Sequence, residues 1–286
     1  PLLLEDRSVV SFITNRSPLF RLDSVSNVMW RQDSLNFHHA INRAADGSLW
    51  ACTMRWERGG RHIAYRGRYR MGDRTVHFLD NSVARIDPET GHILEVHSMA
   101  EVLRDNELDH LILRSGDAQD PLHLNDVEPA LTPSDHMEVG DLFLSFRTLQ
   151  CVLQFRPSTG EIICVIDGPL AVQENNGVYI NRAHKYPVSN DEVEVAQYHS
   201  QITVFDLVSG SFTPLYPELM AEQGIMTSSE GLQEALPDGR WFLEEQNSGE
   251  LWVVGPEGVL YHDVHRSHHD GHHHLPNWTR VLPAFP

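Results

Sequence analysis

Apolar and polar residues alternate in short runs along most of the chain, and turns rich in proline, glycine, aspartate and serine separate the runs. Alternation with a period of two is typical of half-buried strands, and a short polar turn between two such runs indicates a β-hairpin. Five stretches share this arrangement: 19–30, 83–96, 152–165, 202–215 and 251–261. Their turns are marked by Asp23, Asp87, Arg156, Asp206 and Gly255. The pattern predicts a chain built from repeated hairpins.

A second strand–turn–strand element precedes several of these hairpins, at 38–54, 123–147 and 230–246. Two hairpins make four antiparallel strands, and a unit of about 45–50 residues has the size of a propeller blade. The sequence therefore predicts an all-β fold, with a single β-propeller domain over residues 1–286. A β-sandwich or barrel is the alternative, because it also has short strands at regular spacing.

Two segments depart from the strand pattern. Residues 98–113 have helical character, and Ser98 is suited to cap the start of a helix. A histidine-rich stretch at 263–277 can collect Zn²⁺ or Ni²⁺, but it lacks the cysteine or carboxylate ligands that alternate with histidine in a built structural site. It predicts a solvated loop without a metal, ahead of a candidate ring-closing strand at 278–283. Its histidines are His265, His268, His269, His272, His273 and His274.

Composition narrows the classes of function. The formal net charge is −18, from 22 basic and 40 acidic residues, and such a surface repels phosphate backbones, which excludes a nucleic-acid partner. No apolar run is long enough for a membrane-spanning helix, and the first residues lack the basic region of a signal peptide. The three cysteines, Cys52, Cys151 and Cys164, allow one disulfide at most.

A histidine and an arginine stand at the ends of two consecutive predicted strands. His123 precedes one strand and Arg147 ends the next, which predicts that both face one anion. Arginine offers a planar fork of donors to anionic oxygens, and an imidazole can act as a nucleophile or exchange a proton with a phenol. His38 or His39 joins from another repeat; only one is expected in the site, because adjacent strand residues face opposite sides. Asn125 is expected to orient His123 or to bind the ligand.

Ordinary structural roles also fit these residue types. His123 can serve as a hydrogen-bonding residue of a loop, and Arg147 can form a surface ion pair. Glu230 occupies the equivalent place in its own repeat, where an acid is either structural or a base for a substrate hydroxyl.

Several motifs resemble the arylsulfotransferase (aryl-sulfate sulfotransferase) family. They are "HLNDV" at 123–127, "LFLSFR" at 142–147, "RPSTGEIICVIDGP" at 156–169 and "LPDGRWFLEEQNSGELWVV" at 236–254. The resemblance implies a six-bladed propeller with its site at the axial channel. It also implies sulfuryl transfer between phenols through a covalent sulfohistidine, without a cofactor, with further histidines and an arginine on the sulfate oxygens. The expected partner is a small aryl sulfate or phenol, and the expected location is exported or periplasmic.

The sequence departs from the family pattern at one point. That pattern has a Gln-His pair after Gly168-Pro169, and the resemblance implies that this histidine carries the sulfuryl group, whereas here Glu174 follows Gln173 directly. Either a stretch with the histidine is missing between these two residues, or one blade is incomplete and the chain is a non-catalytic relative. In the second case the propeller is a binding or assembly module that recognises an anionic ligand or a protein partner.

Overall fold

The computed structural model describes residues 1–13, 17–55, 67–71, 73–115, 117, 119–167, 178–179, 182–185, 196–227, 231–267, 271–274, 276 and 279–282. These residues are mostly β, with three short helices among them. The chain divides into two compact units, Pro1–Gly168 and Pro169–Pro286. The prediction that the chain is mainly β is confirmed.

The first unit begins with a seven-stranded antiparallel sheet in the order β1-β2-β3-β4-β5-β8-β9. Its strands are β1 (Leu2–Leu3), β2 (Val9–Ser11), β3 (Ser17–Leu22), β4 (Val28–Arg43), β5 (Leu49–Arg55), β8 (Asn81–Ile86) and β9 (Ile93–Ser98), and a separate hairpin of β6 (Gly67–Met71) and β7 (Arg74–Phe78) lies between β5 and β8 in sequence. The sixteen-residue β4 pairs with β3 and, mainly through its second half, with β5. One long strand therefore links two hairpins into one sheet.

Two helices and a second sheet follow in the described part of the first unit. The helices are α1 (Met99–Asp105) and α2 (His110–Arg114), and the sheet joins β10 (Leu124–Pro129), β11 (Leu142–Phe146), β12 (Cys151–Arg156) and β13 (Glu161–Asp167) in sequence order. Ser98 caps α1, because its side chain accepts a hydrogen bond from the Glu101 amide at 3.1 Å. The predicted cap at Ser98 is confirmed, and the segment predicted to be helical over 98–113 holds two short helices instead of one.

Among its described residues, the second unit contains three small sheets and one helix. Their elements are β14 (Val178–Tyr179), β15 (Arg182–Lys185), β16 (Ala196–His199), β17 (Ile202–Phe205), β18 (Phe212–Leu215), α3 (Pro217–Gln223), β19 (Gly231–Ala235), β20 (Trp241–Glu245), β21 (Glu250–Gly255) and β22 (Gly258–Val264). The sheets are β14-β17-β18, β15-β16 and the four-stranded β19-β20-β21-β22. The core of this unit includes the buried side chains of Ile202, Met220, Leu243 and Trp252.

The predicted hairpins are present in the described residues, and two pairs of them form four-stranded meanders, β10–β13 and β19–β22. Three hairpins share one five-residue turn: Asp87–Gly91, Arg156–Gly160 and Asp206–Gly210. In each, the glycine amide donates to the carbonyl of the first residue, at 2.9, 2.9 and 2.8 Å. The glycines have φ of 71°, 78° and 67°, a region that glycine enters without the steric cost of a Cβ. The repeat seen in the sequence is therefore a repeat of backbone conformation.

The core of the first sheet follows the alternation of its strands. Leu19, Phe37, Leu49 and Ile86 are fully buried, and a buried apolar side chain of this size contributes about 1.5–3 kcal/mol. Arg21 is also buried, which requires partners for its charge. Its guanidinium donates to the Ser8 hydroxyl, the Pro88 carbonyl and the Asp6 carboxylate at 2.7, 2.6 and 2.7 Å.

The cysteines form no disulfide, and the last described residues form no strand. Cys52, Cys151 and Cys164 are all free thiols. In the described residues, no helix is both long and apolar enough to cross a membrane. Residues 279–282, within the predicted ring-closing segment, are not a strand; the amides of Thr279 and Val281 donate to the carboxylates of Glu244 and Glu234.

Candidate functional site

His38 and His39 lie in a bulge of β4. Phe37 pairs with Thr53 and Ile41 pairs with Ala51, so three residues of β4 face a single residue of β5. His39 has a φ of 54°, an uncommon conformation for a residue with a Cβ. Both imidazoles are buried, with 1% and 8% exposure. The bulge therefore breaks the alternation on which we expected only one of these side chains in the site.

The two imidazoles contact each other directly. Their Nδ1 atoms are 2.6 Å apart, and their ring centres are 4.9 Å apart at an interplanar angle of 88°. In this contact one Nδ1 donates and the other accepts. A neutral pair therefore has one Nε2 with a lone pair and one Nε2 with a proton, so it can accept and donate at the same time.

His123 is the third imidazole, and it joins the same cluster. It precedes β10 with a φ of 45°, and its ring centre is 5.7 Å from that of His39. Residues held in sparsely populated backbone regions cost about 1–3 kcal/mol each and concentrate at functional sites. His39 and His123 are two such residues, and they belong to one cluster, which supports a functional role for that cluster.

Asp120 positions His123. Its Oδ2 is 2.9 Å from Nδ1 of His123, and its Oδ1 accepts hydrogen bonds from the Asn81 amide and the His123 main-chain amide, at 3.1 and 3.2 Å. Burial by itself raises the pKa of the Asp120 carboxyl, but the hydrogen bond and charge of His123, with the Asn81 amide, outweigh it and hold that pKa below its ordinary value. The carboxylate is ionised at neutral pH and only accepts. Nδ1 of His123 therefore carries a proton, and Nε2 is the atom left for chemistry.

Arg147 lies next to His123 across the antiparallel pair of β10 and β11. Its amide donates to the His123 carbonyl at 3.0 Å, at the end of β11 where Leu124 pairs with Phe146. Its side chain is exposed. Within the part of the chain that the structure describes, no carboxylate forms an ion pair with its guanidinium, so this cation is accessible to an external anion.

Several buried polar atoms around the cluster have no hydrogen-bond partner among the described residues. They are Asn125 Oδ1 and Nδ2, Ser145 Oγ, Asn81 Oδ1 and Ser82 Oγ. Asn125 is fully buried and lies where the pairing of β10 with β11 changes register. A buried polar group without a partner costs about 1–3 kcal/mol, so these atoms require water or a ligand. They lie at the starts of β8 and β10 and within β11, and Asn81 is also bonded through its Nδ2 to the Asp120 carboxylate that contacts His123.

The strand that follows His123 packs against the sheet that holds the other two histidines. β10 contacts β4, β5 and β8, and the Asn42 amide of β4 donates to the Val127 carbonyl and the Glu128 carboxylate at 2.9 and 2.8 Å. Burial, then the charge of Asp126, raises the pKa of the Cys52 thiol well above its ordinary value. Cys52 is therefore a protonated, unreactive group at neutral pH, which leaves the imidazoles as the candidate nucleophiles in this region.

The cluster differs in part from the sequence-based hypothesis. The structure brings His38, His39 and His123 together. Glu230 and the Gln173–Glu174 junction lie outside the described residues. Asp120 and Asn81 were missed, although the carboxylate three residues before His123, in a turn, was a signal for Asp120. No group of three His, Cys, Asp or Glu side chains arranged to hold a metal is found among the described residues.

Residues 1–264 match the family model described as Arylsulfotransferase (ASST), and no curated protein matches the chain. Among solved structures, the chain is similar to selenomethionine-substituted virginiamycin B lyase from Staphylococcus aureus, at 9% identity over 93% of this chain and 69% of that chain, with a TM-score of 0.46. It is also similar to an auxiliary nutrient binding protein from Bacteroides thetaiotaomicron, at 12% identity over 91% of this chain and 57% of that chain, with a TM-score of 0.40. These structural likenesses are weak and carry no argument about activity. The family model covers most of the chain, and the chain therefore belongs to the arylsulfotransferase (ASST) family.

Proposed function

We propose that this protein transfers sulfuryl groups between phenolic compounds, without a nucleotide, through a sulfohistidine formed in the cluster of His38, His39 and His123. The observation that carries the proposal is the orientation of His123. A carboxylate on Nδ1 leaves Nε2 as the reactive nitrogen, inside a cluster of imidazoles and unpartnered polar groups. Together with membership of the family, this arrangement supports sulfuryl chemistry over other reactions of histidine.

The proposed first step is attack of His123 Nε2 on the sulfur of an aryl sulfate. The N–S bond forms, the S–O bond to the aryl group breaks, and the phenolate oxygen takes a proton from the His38–His39 pair. A second phenol then returns a proton to the pair, its oxygen attacks the sulfur, and the N–S bond breaks. Each imidazole thus returns to its starting state, as a two-step covalent mechanism requires.

Arg147 and Asn125 are proposed to bind the sulfuryl group while it is transferred. Negative charge spreads over the sulfuryl oxygens in the transition state, as it does for a phosphoryl group. An exposed guanidinium that forms no ion pair with any described residue suits these oxygens. The buried amide of Asn125 offers one donor and one acceptor to the same ligand. We expect an alanine at Arg147 to weaken donor binding as well as slow transfer.

We further propose that residues 1–286 form one six-bladed propeller with this cluster at its axial channel. The support is the recurrence of hairpins with a common turn and the two four-stranded meanders. Small-angle scattering together with crystallography tests this proposal, and two sheets stacked face to face would contradict it.

The enzymatic test uses a nitrophenyl sulfate donor, whose released phenolate absorbs in the visible, and a second phenol as acceptor. We expect His123→Ala to reduce transfer to background and His39→Ala to slow it by about 10²–10⁴-fold, the usual range for a proton-transfer group. His110→Ala is the control, because that imidazole is exposed on α2. Quenched wild-type protein should gain the mass of one SO₃ group, mapped to His123. An adduct on another residue would remove His123 as the carrier.

The alternative function is a binding module, and the direct succession of Gln173 and Glu174 favours it, because the family pattern has a histidine there. Calorimetry with the same aryl sulfate separates the two functions. Saturable binding that depends on Arg147, without transfer and without an adduct, would establish the binding module and refute the transferase.

A further inference from the structure

The histidine-rich tract of the second unit contains a short antiparallel ribbon. The His274 amide donates to the His265 carbonyl at 2.7 Å, and the Ser267 amide donates to the His272 carbonyl at 3.2 Å. Arg266 and His273 form the bridge between these two bonds. The expected solvated loop is thus, over 265–267 and 271–274, a paired element with a defined register.

The ribbon is anchored to the turn between β20 and β21. The His265 amide donates to the Gly249 carbonyl at 2.8 Å, and His273 Nε2 lies 2.9 Å from the Asn247 carbonyl. Gly249 approaches so closely that a Cβ there would lie 2.6 Å from the His274 carbonyl oxygen. These contacts hold both strands of the ribbon against the four-stranded sheet, so the positions of His265 and His274 are fixed by the fold.

His265 and His274 lie opposite each other, and their side chains share one face of the ribbon. Arg266 and His273, one position further along, face the other side, because side chains alternate along a strand. The ring centres of His265 and His274 are 5.0 Å apart at an interplanar angle of 52°. Two imidazoles that share one Zn²⁺, with Zn–N distances of about 2.0–2.1 Å, have ring centres roughly 5 Å apart. The observed separation matches that geometry.

We propose that His265 and His274 form a clip for a divalent transition-metal ion such as Zn²⁺ or Cu²⁺. Neutral imidazole is a preferred ligand of both metals, and both side chains are exposed, so an ion can reach them. Because the described residues contain no group of three His, Cys, Asp or Glu side chains that could hold a metal, water completes the coordination. His268 and His269 lie outside the described residues, and the clip does not depend on them.

A metal bound at the clip restrains the segment that follows it, residues 279–282. Residues 279–282 return to β19 and β20, where the amides of Thr279 and Val281 bond to Glu244 and Glu234. A metal that joins the two strands of the ribbon restricts the chain a few residues before these contacts. Since a ligand that prefers the folded state stabilises it by mass action, Zn²⁺ should raise the melting temperature of the protein.

The test is metal binding to the full chain, expressed without an added histidine tag. Titration with Zn²⁺ is followed by calorimetry, and Cu²⁺ is followed by electron paramagnetic resonance, which reports nitrogen ligands. The matched pair of variants is His265→Ala/His274→Ala and His268→Ala/His269→Ala, because each removes two histidines from the same tract. Mutation of groups that hydrogen-bond to metal ligands already lowers metal affinity by about 10–100-fold. Loss of both ligands should therefore lower the affinity for Zn²⁺ by at least about tenfold.

We expect the first double variant to lose the tightest site and the zinc-dependent rise in melting temperature, and the second to retain both. We also expect acid to release the metal, because a ligating imidazole must be neutral. Circular dichroism and the metal-free melting temperature serve as the folding check. Equal loss in both double variants, loss only in the second, or no binding by the wild type would overturn the proposal. Equal loss would identify the tract as an unstructured histidine cluster.

Discussion

Replacing Asp120 with asparagine tests whether the carboxylate sets the reactive nitrogen of His123. Oδ1 of residue 120 faces two donors, one of which is the main-chain amide of His123. A main-chain amide can only donate, so the side-chain oxygen of an asparagine at residue 120 stays against the His123 amide. Its NH₂ group then faces His123 Nδ1. Nδ1 then becomes an acceptor, and the proton moves to Nε2. The variant should therefore keep its shape and lose the tautomer that the proposed chemistry needs.

The size of the effect follows from the hydrogen bond that is lost. A hydrogen bond to a charged group contributes about 1.5–3 kcal/mol. The Asp120 and His123 side chains are 17% and 25% exposed, so water screens the pair only in part. Since about 1.4 kcal/mol corresponds to a factor of ten in rate, we expect kcat to fall by about ten- to a hundredfold. KM should change little, because in the proposed mechanism Asp120 acts through His123 and does not bind the ligand itself.

Nitrogen-detected NMR of the histidine rings checks the tautomer directly, and the sulfuryl-transfer assay checks the rate. The matched control is Asp117→Asn in the same turn. The exposed Asp117 accepts from the amides of Gln119 and Asp120 at 2.8 and 3.1 Å, which an asparagine can also do. If Asp120→Asn keeps the proton on Nδ1 and matches this control in rate, the positioning role of Asp120 is wrong.

Two further predictions concern stability. Gly91→Ala should destabilise the protein by about 2–4 kcal/mol, because a Cβ at residue 91 lies 2.6 Å from the Trp30 ring, which adds overpacking to the cost of about 1–2 kcal/mol for the left-handed backbone. Gly160→Ala has nothing within 4 Å and should show only the backbone cost, so equal urea midpoints for the two variants would contradict the packing argument. Hydrogen bonds from the Ser8 hydroxyl and amide, then Arg21, lower the pKa of Asp6 from 3.8 to about 2, so its stabilisation is present above pH 4 and is lost as the pH falls towards 2. The stability difference between wild type and Asp6→Asn should therefore shrink over that interval in urea unfolding, and a constant difference would refute this linkage.

Local chemistry was enough to predict the repeated elements from the sequence. Period-two alternation marked the strands, and turns ending in glycine, such as Asp87–Gly91, marked the hairpins, because both depend on residues close in sequence. The helix cap at Ser98 is local for the same reason. The motifs around His123 and Arg147 also led to the family, because spacing within a motif is visible without a structure.

Only the tertiary structure decided how the site is assembled. The burial of both His38 and His39 depends on a bulge, and a bulge exists only in the pairing of one strand with another. The contact of His39 with His123 depends on the packing of β10 against β4, across more than eighty residues of sequence. Likewise, His265 and His274 face each other because the ribbon takes one register and docks on Gly249. Alternation and turn residues specify single strands and hairpins, whereas register, bulges and packing between sheets arise from long-range contacts, and those contacts bring the histidines together.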